Sequence, residues 1–120
     1  MVTPLPIAKP GFCPILQNAQ FKCAFITKSA QYSFGEIAQM KRHNDTDEIF
    51  VLLAGSATLL TLEKSGPQTV ALQKNIAYNV CAGTLHHLAV SEDAVVFVTE
   101  SGSMDPKNTE TVELKQPIIL

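Results

Sequence analysis

No basic stripe runs through this sequence of 120 residues: nine lysines and arginines stand against eleven acids, for a net charge of −2. A protein that grips nucleic acid by its phosphates needs clustered positive charge, so that class is excluded. No apolar run approaches the length that crosses a bilayer as a helix. The N-terminus has no charged segment followed by an apolar one, so no secretory leader is expected and a cytoplasmic location is. Cysteine is scarce: Cys13, Cys23 and Cys81 make an odd count with no metal-type spacing. They read as separate thiols packed as small apolar groups in a reducing compartment. Phosphate-binding loops, cofactor fingerprints and nucleophile elbows are missing, and so is any internal repeat. A 3.6-residue apolar stripe of helical length is missing as well, which argues against an α-helical framework.

What is present is a β pattern. The hydrophobic content of 46% and charged content of 17% suit one soluble domain with a single core. Four of the seven prolines, Pro4, Pro6, Pro10 and Pro14, fall in the first twenty residues. Proline fixes φ and lacks an N–H, so residues 1–20 are expected as an extended arm at an edge or outside the sheet. The domain is expected over residues 21–115, followed by a tail over 116–120. Within it, strands are expected at 21–27, 31–43, 48–54, 57–63, 68–72, 76–80, 85–91 and 94–100, with a last one at 111–114. Residues 101–108 read as polar loop. Phe34, Phe50 and Phe97 read as core. Many short strands punctuated by Gly, Pro, Asn and Asp predict an all-β sandwich or barrel.

Two stretches carry the chemistry. Residues 41–55 read KRHNDTDEIFVLLAG and residues 75–87 read NIAYNVCAGTLHH. All three histidines of the chain lie in them. Strand alternation puts Lys41 and His43 on one face, together with Gln39. It puts Glu48 on a face with Phe50 and Leu52, and His86 with Leu88, while His87 turns to the opposite side. Asp45 and Asp47 read as a solvated turn. Tyr78 and Asn79 precede the second group, and one of them faces inward.

The pair resembles the two motifs of the cupin superfamily, small jelly-roll β-barrels. The first has the form G-x5-H-x-H-x(3,4)-E-x6-G, and this chain supplies Gly35, Lys41, His43, Glu48 and Gly55 at those spacings. The second has the form G-x5-P-x-G-x2-H-x3-N, met here by Asn75, Cys81, Gly83, His86 and Val90. The resemblance covers about residues 31–100 and implies a single-domain cupin-type jelly-roll barrel. It also implies a divalent metal (Zn, Fe, Mn or Ni) held by His43, Glu48 and His86. Two histidines and a carboxylate leave positions open for substrate or oxygen. Lys41 stands where a further histidine ligand is expected, and a cationic ammonium there opposes a metal unless it turns away. Lys41, Gln39 and Tyr78 are the expected contacts to a small-molecule ligand.

Three readings stay open. The first is a small-molecule enzyme, since single-domain cupins include sugar isomerases and epimerases, dioxygenases and lyases. The second is a metabolite-binding or structural module without catalysis, with Lys41 paired to Glu48 inside a metal-free barrel. The third is a barrel without a pocket. Cupins commonly pair through barrel edges, so a homodimer is expected.

Overall fold

The computed structural model describes residues 1–102 and 106–120, and among these there is no α-helix. Ten strands follow one another: β1 Phe12–Gln17, β2 Phe21–Ile26, β3 Glu36–His43, β4 Glu48–Ala54, β5 Ala57–Glu63, β6 Gly66–Ala71, β7 Ala77–Val80, β8 Leu85–Val90, β9 Val95–Ser101 and β10 Thr109–Ile119. Short 3-10 turns at Ala30–Tyr32 and Pro106–Asn108 complete the chain. No helix among the described residues is long and apolar enough to cross a membrane. The strands build two five-stranded antiparallel sheets, ordered β1-β2-β9-β4-β7 and β10-β3-β8-β5-β6. This is the all-β jelly-roll architecture.

The period-two pattern decides which face each strand buries. In β9, Val96, Val98 and Glu100 are buried and the residues between them are half-buried. In β4 the buried set is Glu48, Phe50 and Leu52. These faces meet Leu88 and Val90 of β8 and Leu59 of β5 in one apolar core with Ala24 and Ile26 of β2. One end of the sandwich is therefore filled by aliphatic side chains, while at the other the same inward rows turn polar. A smaller apolar cluster, Ile37, Met40 and Leu60, packs with Leu114, Ile118 and Leu120. Leu60 alternates with the inward Leu59, so this cluster covers the outer face of the second sheet.

Several element bounds differ from the sequence reading, each for a local reason. Residues 12–17 of the expected arm form β1, an edge strand, where Pro14 sits beside a register shift and breaks no interior ladder. Pro67 likewise lies on an edge strand, β6 of the second sheet, because the turn tightens to residues 64–65. The long segment 31–43 becomes a strand only from Glu36, after the 3-10 turn. The last strand is much longer than residues 111–114, because a bulge between Glu113 and Ile118 lets pairing resume beyond it. Part of the loop expected at 101–108, residues 103–105, lies outside the described residues. Phe34 precedes β3 and is 43% exposed, so it is not core. Cys13 and Cys23 are buried, whereas Cys81 is exposed, and all three are free thiols.

Asn75 and Gly55 show why turn chemistry sits where it does. Asn75 has φ +66°, the left-handed conformation that asparagine tolerates better than most side chains. Gly55 has φ +69°, and a Cβ there would lie 2.6 Å from the Ala94 Cα.

Candidate metal centre

The polar end of the sandwich is a cavity of about 900 Å³. Two facing inward rows build it. In the first sheet, Lys22 pairs across to Glu100 and Glu100 to Glu48, so the three side chains share one face. In the second sheet, Lys41 stands opposite His86, and His43 opposite Thr109.

His43, Glu48 and His86 converge. The His43 Nε2 lies 3.0 Å from one Glu48 oxygen, and the His86 Nε2 lies 3.1 Å from the other. One donor atom from each of the three falls within 4.8 Å of the rest. Glu48 and His86 are buried. The outer ring nitrogens are also held. His86 Nδ1–H donates to the Thr84 carbonyl at 2.9 Å, and His43 Nδ1 meets the Thr109 hydroxyl at 3.0 Å. A carbonyl only accepts, so it fixes the His86 tautomer. The His86 Nε2 then meets the Glu48 carboxylate oxygen. Such a contact requires a cation on or beside it, either a proton or a metal.

The charge state follows from this geometry. Burial pushes the Glu48 carboxyl up, but the hydrogen bonds to His43 and His86 outweigh it and hold the group at about 2. The hydrogen bond to Glu48 raises His43 against the opposing effect of burial. Without metal, the geometry thus favours an ion pair of protonated His43 with ionised Glu48. Tyr32 lines the same cavity, and burial together with the Glu48 charge pushes its phenol to about 12.

The structure also places the other candidates. Gln39 and Lys41 line the cavity wall. Lys41 is exposed, and Glu48 takes the two histidines as partners, so the Lys41–Glu48 pair does not form. Tyr78 does not reach this cavity. It points inward from β7, but packs against the apolar core and a smaller recess beside Leu59 and Val70, where its hydroxyl accepts the Gln73 N–H. β7 is an edge strand, so inward from it leads to the gap near β6 rather than to the histidines. His87 lies opposite Leu60, with its Nε2 buried and without a hydrogen-bond partner; it borders the cavity but stands outside the converging group.

Two contributors escape the sequence reading. Glu100 is buried at the end of β9, 3.6 Å from the His43 Nε2 and 3.9 Å from the Lys22 Nζ. Its signal was available: it continues the inward register of Val96 and Val98, where a charge is out of place. Asp47 is more than a solvated turn. It accepts the Ala82 N–H at 2.8 Å and the Asn79 amide at 3.1 Å. With the Gly83 N–H donating to the His43 carbonyl at 2.7 Å, it ties the two motif stretches together.

No family model matches the sequence, and no curated protein matches it. Solved structures do match in fold. A cupin-2 domain containing protein from Shewanella frigidimarina aligns with TM-score 0.59 at 20% identity, covering 78% of this chain and 84% of that one. KdgF from Halomonas sp. aligns with TM-score 0.60 at 15% identity, over 88% of this chain and 91% of its own. A mutant of the 3,4-ketoisomerase QdtA from Thermoanaerobacterium thermosaccharolyticum, in complex with TDP-4-keto-6-deoxyglucose, aligns with TM-score 0.62 at 14% identity. That match covers 73% of this chain but 63% of the ketoisomerase, less than two thirds of its length. The class is thus a single-domain jelly roll with a histidine–carboxylate cluster in its open end. Its fold is the cupin fold.

Proposed function

We propose that this chain binds a small polar molecule inside the barrel through a divalent metal held by His43, Glu48 and His86. The observation that carries this reading is the aim of the two imidazoles. Their Nδ1 atoms are engaged by Thr109 and Thr84, and both Nε2 atoms point at the two oxygens of one carboxylate. Outer partners that fix the ring leave the inner nitrogen free for a metal, which is how histidine ligands are commonly held. The donor set of two nitrogens and a carboxylate suits zinc, iron, manganese or nickel. Bound there, such an ion supplies Lewis acidity to a substrate oxygen. The chain's own groups divide the remaining work. Gln39 and Lys41 on the cavity wall orient the ligand and draw an anionic group toward the exposed ammonium. The apolar core behind Phe50 closes the far end against water.

A second reading, metal-free acid–base chemistry on a sugar-like ligand, draws on one further observation. Glu48 is held ionised while burial, with the Glu48 charge, raises the Glu100 carboxyl. Neighbouring carboxyls split in this way are suited to be base and acid. The ketoisomerase with its bound TDP-sugar is the neighbour that favours such a ligand. Dioxygenase chemistry belongs to the metal-bound reading. We also propose that the chain acts as a cytoplasmic homodimer.

Elemental analysis of untagged protein purified without chelator separates the first two readings. The metal-bound reading expects about one transition metal per chain, lost in His86→Ala and kept in His87→Ala. Absence of metal from the parent, even after incubation with each ion, would favour acid–base chemistry. Equal losses in both variants would show that His86 is not a specific ligand.

A further inference from the structure

We infer that Glu100 is a fourth donor of the metal centre, making it a two-histidine, two-carboxylate site. This rests on the metal-bound reading above and deepens it. Glu100 comes from β9, a strand that neither motif stretch includes, and stands directly across from Glu48 in the β4–β9 ladder. Its side chain is 3% exposed. One oxygen, Oε1, lies 3.9 Å from the Lys22 ammonium, and Lys22 is itself braced over the Phe12 ring with Nζ 5.2 Å from the centroid. The other oxygen, Oε2, lies 3.6 Å from the His43 Nε2, buried and without a hydrogen-bond partner.

A buried carboxylate oxygen left without a partner is expensive, and native proteins rarely tolerate one that has no use. Here the orphan oxygen borders the nitrogen and the carboxylate that already converge. A divalent ion among these groups gives Oε2 its missing partner. It also balances charge: two carboxylates with two neutral imidazoles carry −2, which a divalent cation cancels. Two carboxylates side by side without a cation repel each other instead. Lys22 remains on Oε1, so Glu100 would bind through one oxygen and be held from behind by the lysine.

Zinc is the probe, because it binds most nitrogen and oxygen sites more tightly than manganese or iron does. Untagged parent, Glu100→Gln and Glu113→Gln would be titrated with zinc against a chromophoric chelator. Glu113 is exposed on β10, so its variant changes charge equally without touching the cavity. The expected result is an affinity loss of at least about tenfold in Glu100→Gln and none in Glu113→Gln. Equal affinity in all three overturns the proposal. A crystal structure of the zinc-loaded parent decides the case in which Glu100→Gln fails to fold. A Glu100 oxygen at about 2.0–2.2 Å from zinc supports the assignment, and one beyond about 3 Å overturns it. A parent that binds no zinc retires the metal-bound reading as well, whereas loss of the Glu100 effect alone leaves that reading standing.

Discussion

Glu48 is the residue on which the site turns, because both of its oxygens are committed to imidazole nitrogens. Its carboxyl is held at about 2 against an ordinary value of 4.5. It therefore adds stability that is present above pH 4.5 and is lost as the pH falls toward 2. His43 has the opposite sign. Its pKa is raised above 6.5, so its contribution is complete below that pH and fades as the pH climbs through the folded value. Glu100, raised by burial, adds a cost that grows as it ionises. The metal-free protein should thus be most stable in mildly acidic buffer, between about pH 4.5 and 6.5, as read by urea unfolding across the range. Metal should invert the upper side of that profile. A ligand nitrogen must lose its proton to bind, so metal-loaded protein gains stability as the pH rises past 6.5. A flat profile without metal would mean that the buried pair does not exist in solution.

At the level of the strand and the turn, position is set by residues that never touch the cavity. Asn108 is 2% exposed at the end of the second 3-10 turn. Its Oδ1 accepts the Asp45 N–H at 2.6 Å, its Nδ2 donates to the Thr46 hydroxyl at 3.0 Å, and its carbonyl accepts the Asn44 N–H at 2.6 Å. It thereby pins the turn that joins His43 to Glu48. Asn108→Ala should cost about 1–3 kcal/mol of unfolding free energy and weaken zinc binding besides. Unchanged values for both would remove it from the site's support. The same level explains what could be read from the chain alone. Alternation within β4 and β8 puts Glu48, Phe50 and Leu52 on one face and separates His86 from His87, because a period of two is a local property. Spacing placed His43 and Glu48 in the first motif and His86 in the second. Alternation within β9 marks Glu100 as inward, but which groups it and Thr109 meet depends on β9 and β10 pairing with strands some fifty or more residues earlier. Tyr78 failed for a related reason: its face is right, but only sheet order reveals that β7 is the far edge.

Across the whole molecule, the outer face of the first sheet is the apolar surface to explain. Ile49 and Leu53 on β4 are 37% and 48% exposed, on the face opposite Phe50 and Leu52. Val51 and Phe97 lie beside them in cross-strand register. Large apolar side chains exposed on one sheet face suit an isologous contact with a second copy. Sedimentation should show a species of twice the chain mass, and Leu53→Lys should shift it to the single chain; a monomeric parent at micromolar concentration would refute the dimer. The ladder between β3 and β10 carries a different consequence. Thr109, which holds His43, pairs with a strand made long before it, and Glu36 waits for Ile119. Contacts so distant along the chain make folding slow, on the order of milliseconds to seconds, because long loops must close before any bond rewards them. On the ribosome, strands β3 to β8 emerge while their last neighbour is still unsynthesised. For that interval Met40 and Leu60 lack their cover and β3 has an open edge, so the nascent chain is most in need of a chaperone just before its final strand arrives.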